Sequence, residues 1–311
     1  MSKKALNQSN NTITDTRPIL SRTAPTRLEQ VLMALPFGFG KSQPVVAVLR
    51  LEGVIGKGGA CRSGLNFGAL NKLIEKTFKT DSLDAVCLVI NSPGGSPVQS
   101  ELIASRITSL AKEKDIPVYS FVEDVAASGG YWLACAGDKI YASKSSIIGS
   151  IGVISSSFGF QDAIAKLGIE RRVYTEGKTK SVLDPFQPAK TGDVKIIKKL
   201  QKEIHNHFID TVRTRRGGKL TQSDDLLFNG EFWCGQTALD YGLIDGIDDL
   251  YSFIQTKYGD NVKIEYIENK TSWFKKKLGM HKIAKEFAQD LTETVLDSAE
   301  NRLIQSKFDL K

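Results

Sequence analysis

The 311-residue chain is poor in the residues that build disulfide frameworks, zinc sites and histidine-based triads. Its four cysteines, Cys61, Cys87, Cys135 and Cys234, are widely spaced and form no C-x-x-C pair. This excludes a disulfide scaffold and a zinc ribbon, and fits a reducing compartment. Cys87 and Cys135 lie inside apolar runs, where cysteine behaves as a small buried hydrophobe. No run approaches the ~18 apolar residues of a bilayer span. The nearest, Val31–Phe39, is short, broken by Pro36 and Gly38, and preceded by a polar leader unlike a signal peptide. There are three histidines. His205 and His207, two apart on a helical stretch, face different ways, and His281 lies near a lysine run. All three read as surface residues, which argues against a Ser-His-Asp triad.

Charge is unevenly spread. Residues 171–220 hold thirteen Lys/Arg against five Asp/Glu, an excess of eight beside the whole chain's +7. The stretch lacks the aromatic interleaving and motifs of a nucleic-acid site, so no nucleic-acid partner is expected. A solvated helix face, or attraction to anionic headgroups, accounts for it better.

Residues 1–42 read as a disordered leader ending in the short apolar stretch. From residue 43 to 268 strands and helices alternate. Apolar, β-branched runs at Val45–Leu51, Leu83–Ile90 and Val118–Val122 predict buried strands. Helical stripes run over Phe67–Lys79 and Val98–Lys114. Further strands are expected at Lys139–Ala142, Ile147–Ser155 and Arg172–Thr175, with a helix at Phe160–Leu167. A long basic helix follows at Thr191–Arg215, then a short one near Ala238, a helix over Asp248–Tyr258 and an edge strand at Val262–Ile267. The alternation indicates an α/β architecture with a largely parallel sheet. Residues 269–311 carry Ile283, Phe287, Leu291, Val295 and Leu303 at helical spacing and read as an amphipathic helical tail.

Two stretches could carry chemistry. Val125-Ala126-Ala127-Ser128-Gly129-Gly130-Tyr131-Trp132 lies between a strand and a small-residue helix, where unpaired backbone N–H groups favour developing negative charge. Ser128 is a candidate nucleophile there; its bland alternative is an N-cap. Asn91-Ser92-Pro93-Gly94-Gly95 also follows a strand and opens a helix. It is not a phosphate loop of the G-x-G-x-x-G or G-K-[ST] type, and reads better as an oxyanion cradle. Gly95 N–H would be one donor, Gly129 N–H the second, with Gly94 shaping the turn. With histidine set aside, the base is expected to be a lysine in Glu176-Gly177-Lys178-Thr179-Lys180-Ser181, where local sequence does not separate Lys178 from Lys180. Ser150 is placed to hold the amine by a hydrogen bond. No cofactor or metal is expected.

The motifs "INSPGGS", "AASGGYW", "IIGSIGVI" and "EGKTKSVLDPF", in this order, resemble the signal peptide peptidase SppA family of serine proteases, peptidase family S49, in its short single-repeat form. The resemblance covers about Val45 to Phe253. It implies a ClpP/crotonase-like fold of repeated strand-strand-helix units, here with a helical C-terminal extension. It also implies a Ser/Lys dyad in which Ser128 is the nucleophile, Lys180 the general base and Ser150 the residue orienting the lysine. Gly94, Gly95 and Gly129 match the oxyanion-hole region. Short-form relatives assemble into a dome-like homo-oligomeric ring, an octamer among the sizes open to it, in which Ser and Lys meet across a subunit boundary. The expected substrates are short apolar peptides such as cleaved signal-peptide remnants. Family members typically carry an N-terminal membrane anchor, whereas this chain has only Val31–Phe39. A cytoplasmic protein, with peripheral membrane contact at most, is therefore expected. The alternatives are a crotonase-like acyl-thioester enzyme using the same oxyanion geometry, and a phage-type capsid-maturation protease or inactive scaffold ring.

Overall fold

The computed structural model describes residues 43–56 and 64–268. The expected leader, the Val31–Phe39 stretch and the 269–311 tail lie outside the described residues. Strands and helices alternate at first: β1 (Val45–Glu52), α1 (Phe67–Phe78), β2 (Leu83–Ser92), α2 (Pro97–Lys114), β3 (Val118–Ala127) and α3 (Gly129–Ala134). Then follow β4 (Lys139–Ala142), β5 (Ile147–Gly149), α4 (Gln161–Lys166), α5 (Thr191–Arg216), α6 (Asp224–Leu227) and β6 (Phe232–Cys234). The described part closes with α7 (Gly235–Asp240), β7 (Gly246–Ile247), α8 (Leu250–Tyr258) and β8 (Lys263–Ile267). This is the α/β class that the hydrophobic pattern indicates, built of repeated strand-and-helix units.

The strands form one sheet in the order β6-β5-β3-β2-β1-β8, with β4 on β3 and β7 on β4. All pairings are parallel except β5 with β6. Both faces are covered, so the central strands carry unbroken apolar runs. The pleat divides them: Val86, Leu88 and Ile90 of β2 face the cluster holding α1, α2 and α3, while Ala85, Cys87 and Val89 face Phe253 and Ile254 of α8. Burying each such Leu or Ile contributes roughly 1.5–3 kcal/mol. Cys87 and Cys135 are buried as expected, and burial pushes the Cys135 thiol up to about 11.

The short α6, β6 and β7 were not expected, and three expected elements differ from the observed ones. β3 does not end at Val122 but runs to Ala127. A register shift opposite Ile90 to Ser92 lets it leave β4 after Val122 and pair with β5 from Val125. The strand expected over Ile147–Ser155 stops at Gly149, because Ser150 turns to φ +53° and sends its N–H to the Glu231 carbonyl at 2.6 Å. Residues Arg172–Thr175 form no strand; they lie in an exposed excursion, residues 154–180, in which α4 buries no residue.

An internal ion pair ties the second half to the first. Arg216 has a side chain 1% exposed; it donates to the Gly242 carbonyl and pairs with Asp245, whose Oδ2 also accepts the Ile140 N–H at 2.8 Å. Burial alone would raise the Asp245 carboxyl, but hydrogen bonds from Arg216 and Lys219 outweigh it and hold the group below the ordinary carboxylate range. Its stabilising contribution is therefore complete above the unfolded value near about pH 4, and is lost as pH falls through the lower folded value. Arg216→Met is expected to cost about 3–5 kcal/mol, because it removes the buried partner of Asp245 and leaves that carboxylate to the half-exposed Lys219 and the Ile140 N–H. Thermal unfolding across the acid range checks the sign: Asp245→Asn should flatten the loss of stability below about pH 4.

Candidate active site

β3 delivers Ser128 to a sharp turn. The residue has φ +52° and ψ −122°, a region a non-glycine residue occupies at a cost of about 1–3 kcal/mol. Surrounding hydrogen bonds hold it there. Its N–H donates to the Gly149 carbonyl at 2.8 Å, and its own carbonyl accepts from Tyr131 N at 3.0 Å and Trp132 N at 3.1 Å. Ser128 stands at the N-cap position of α3, yet its side chain makes no capping hydrogen bond. The half-buried hydroxyl is thus not used as a cap.

The Asn91–Ser96 turn lies directly against this turn, with no side chain between them. A Cβ on Gly94 would come within 2.8 Å of the Ala127 carbonyl and Ser128 Cβ, and 2.9 Å of Gly129 N. Gly95 has φ +142°, and a Cβ there would meet the Ile55 carbonyl at 2.0 Å. On Gly129 a Cβ would sit 2.4 Å from Ser100 Oγ and 3.4 Å from Gly95 N, so the two glycine strips run side by side. Gly130 packs on the Ser92 carbonyl in the same manner, at 2.3 Å. These contacts explain paired glycines in both motifs.

The donors sort themselves. Gly94 N–H goes to Ser92 Oγ at 3.2 Å, and Ile55 N and Ser96 N complete a bridge around Gly95. Among the described residues, neither Gly95 N–H nor Gly129 N–H has a hydrogen-bond partner. Two free donors therefore stand beside Ser128. Ser150 is brought to the same place, since it directly follows Gly149, whose carbonyl takes the Ser128 N–H.

Lys180 is not brought there. It lies with Lys178 in the exposed excursion, and its N–H bonds the Gly177 carbonyl at 3.1 Å. Among the described residues, no hydrogen bond joins Lys180 to Ser128 or Ser150. The loop around it is nonetheless built. Asp184 pairs with Arg171 and accepts the Phe186 N–H at 3.0 Å, which together hold its carboxyl below the usual range. Phe160 N donates to the Pro185 carbonyl at 2.6 Å, and Asp193 in the first turn of α5 accepts the Leu183 N–H at 3.2 Å. From Asp193 to Phe208, the first buried residue of α5, a helix rising 1.5 Å per residue extends about 22 Å. Phe208 stacks on Trp132 of α3, ring centroids 4.8 Å apart. One helix thus touches the lysine loop near one end and the serine helix toward the other.

His205, expected at the surface, is half-buried with Nε2 3.1 Å from the Ile151 carbonyl, one residue beyond Ser150. It stands three residues before Phe208, on the same side of α5, but nothing local signals that contact; only the fold brings 151 and 205 together. His207 is exposed as expected. No group of three or more His, Cys, Asp or Glu with metal-site geometry occurs among the described residues.

Residues 110–261 match the model of peptidase family S49. A protein of Enterococcus faecium carrying the provisional name signal peptide peptidase SppA is 30% identical over 254 residues, 79% of this chain and 73% of that one. Protease 4 of Haemophilus influenzae is 31% identical over 205 residues, 65% of this chain and 32% of that protein. A Brucella melitensis protein named Na(+)/H(+) antiporter NhaA is 47% identical over 283 residues, 89% of this chain. The match spans 38% of that protein's length, as it does for a Brucella abortus protein of the same name. Among the described residues no helix is long and apolar enough to cross a membrane. The solved structure of a membrane-bound stomatin-specific protease is similar at 16% identity and a TM-score of 0.48, over 74% of this chain and all of that one.

The glycine contacts are testable without an activity assay. Gly95→Ala is expected to lose about 1–3 kcal/mol, since its Cβ would meet backbone that cannot rotate away. Gly192→Ala, in α5 with nothing within 4 Å, should instead gain about 0.5–1 kcal/mol. Urea unfolding of the two variants beside wild type checks both signs.

Proposed function

The chain belongs to peptidase family S49, and we propose that it is a serine endopeptidase whose Ser/Lys dyad forms between two copies of the chain. The observation that carries this reading is the pair of N–H groups, Gly95 and Gly129, unpartnered among the described residues and standing beside the uncapped hydroxyl of Ser128. In the proposed reaction the neutral amine of Lys180 takes the Ser128 Oγ proton as the oxygen attacks a peptide carbonyl. The carbonyl oxygen becomes an oxyanion held by the two N–H groups, each donor being worth about 2.7–4 kcal/mol of barrier. The tetrahedral species collapses to an acyl ester, and the leaving amine takes the proton from the lysine ammonium. Water, deprotonated by the same amine, then hydrolyses the ester. The Ser150 hydroxyl holds the amine in line.

Two features support a shared dyad. Lys180 is exposed, and the loop that carries it is fixed to the end of α5 distant from α3. The excursion also presents Ile154 at 85% and Tyr174 at 91% exposure, apolar surface that a second copy would cover. Such covering removes water from Lys180, the condition under which a lysine amine is neutral enough to act as a base. The proposed substrates are short, extended, apolar peptides such as signal-peptide remnants. Ile55, whose Cδ1 lies 3.2 Å from where a Gly129 Cβ would be, and the exposed Val98 and Leu102 of α2 give the neighbourhood an apolar character. The ring, and a cytoplasmic or peripherally membrane-bound location, belong to the same proposal.

Mixing tests the shared site. Ser128→Ala and Lys180→Ala are each expected to reduce peptide cleavage at least about 10³-fold. After dissociation and co-assembly of the two inactive variants, a fraction of wild-type activity should return, because some sites then pair an intact Ser128 with an intact Lys180. Activity that never returns in verified mixed assemblies would place both residues in one chain.

A further inference from the structure

Helix α5 holds more of the site's surroundings than its own length of buried surface suggests. Phe208, Val212 and Arg216 are its buried residues, yet three backbone segments converge on it. His205 meets the Ile151 carbonyl, and Arg216 reaches the Gly242 carbonyl and Asp245. Arg215 does something different. Its Nε donates to the Cys135 carbonyl at 2.7 Å, and its Nη2 to the carbonyls of Ala136 at 3.2 Å and Gly137 at 3.0 Å. Nη2 also stands 3.4 Å from Asp138 Oδ1.

Those three carbonyls lie at the exit of α3, where a helix has no internal donors left to offer. One guanidinium satisfies all three in a planar fork that a lysine cannot reproduce. The helix it holds has six residues, Gly129–Ala134, and so spans only about 9 Å. Ser128 and the Gly129 N–H stand at the other end of that rigid segment. Nothing flexible separates the two ends: Tyr131 OH is bonded to the Leu243 carbonyl at 2.7 Å, and Trp132 is stacked on Phe208. A shift of the exit therefore moves the entrance.

We propose that Arg215 is a positioning residue for the Ser128 turn, holding α3 against α5 so that the hydroxyl and the Gly129 N–H keep their places. It touches no substrate. The inference rests on the peptidase reading above and goes beyond it. It also makes α5 the common support of both halves of the site, carrying the lysine loop through Asp193 and the serine helix through Arg215.

The test is steady-state cleavage of an apolar peptide by assembled wild type, Arg215→Ala, Arg215→Lys and Ser128→Ala, with active protein counted by its folded fraction. Arg215→Ala should lose about 10- to 100-fold in kcat with KM within about twofold, the pattern of a displaced reacting group. Arg215→Lys should fall between, and free guanidinium at millimolar concentration should recover several-fold of the Arg215→Ala loss. If Arg215→Ala does not fold, the kcat and KM of Arg215→Lys carry the test alone. An unchanged kcat per folded chain in either variant would overturn the proposal, as would an equal rise in KM. Cleavage by Ser128→Ala at the wild-type rate would instead remove the Ser128 nucleophile from the proposed reading, and the positioning role with it.

Discussion

The contact between two glycine turns, with no side chain between them, is the constraint on which the rest of the structure depends. The Asn91–Ser96 turn at the end of β2 lies on the Ser128–Gly130 turn at the end of β3, at separations that leave no room for a methyl group. Close approach of this kind is possible because β2 and β3 are adjacent and parallel, so their C-terminal ends emerge together. Among the described residues it leaves Gly95 N–H and Gly129 N–H unpartnered and side by side, and it holds Ser128 in a strained conformation. The strain, about 1–3 kcal/mol, is offset by the Ser128 N–H bond to the Gly149 carbonyl and by bonds from Tyr131 N–H and Trp132 N–H to the Ser128 carbonyl.

From that contact the division of labour in the chain follows. The sheet and the helices packed on it build the serine, the donors and Ser150 as one rigid unit. The excursion after Gly152 carries the lysine loop and exposes apolar side chains to solvent. α5 joins the two through about 22 Å of helix between Asp193 and Phe208. In the proposed reading the base of one chain serves the serine of another, and catalysis depends on assembly.

Much of this was legible in the residues. Strands buried on both faces wrote themselves as continuous apolar runs at Val45, Leu83 and Val118, and the glycine pairs marked the turns. Other features depended on long-range packing and left no local signal. The extension of β3 to Ala127 arises from its change of partner from β4 to β5, and the early end of β5 from the Ser150 bond to Glu231. Arg172–Thr175 is β-prone, yet exposed in the excursion, where propensity has no sheet to join. Lys178 and Lys180 remain alike by exposure, so the preference for Lys180 comes from the family pattern. Arg215 was one of thirteen basic residues in a charged stretch, and only its three carbonyl partners set it apart.

The most direct measurement is mass-spectrometric mapping of a fluorophosphonate adduct on the chain, in its assembled form and after dissociation. A single adduct on Ser128 is expected, formed by the assembly and absent from the separated chains, where no lysine amine reaches the hydroxyl. An adduct on another residue, equal labelling of separated chains, or an assembled protein that takes no adduct would contradict a dyad shared between copies.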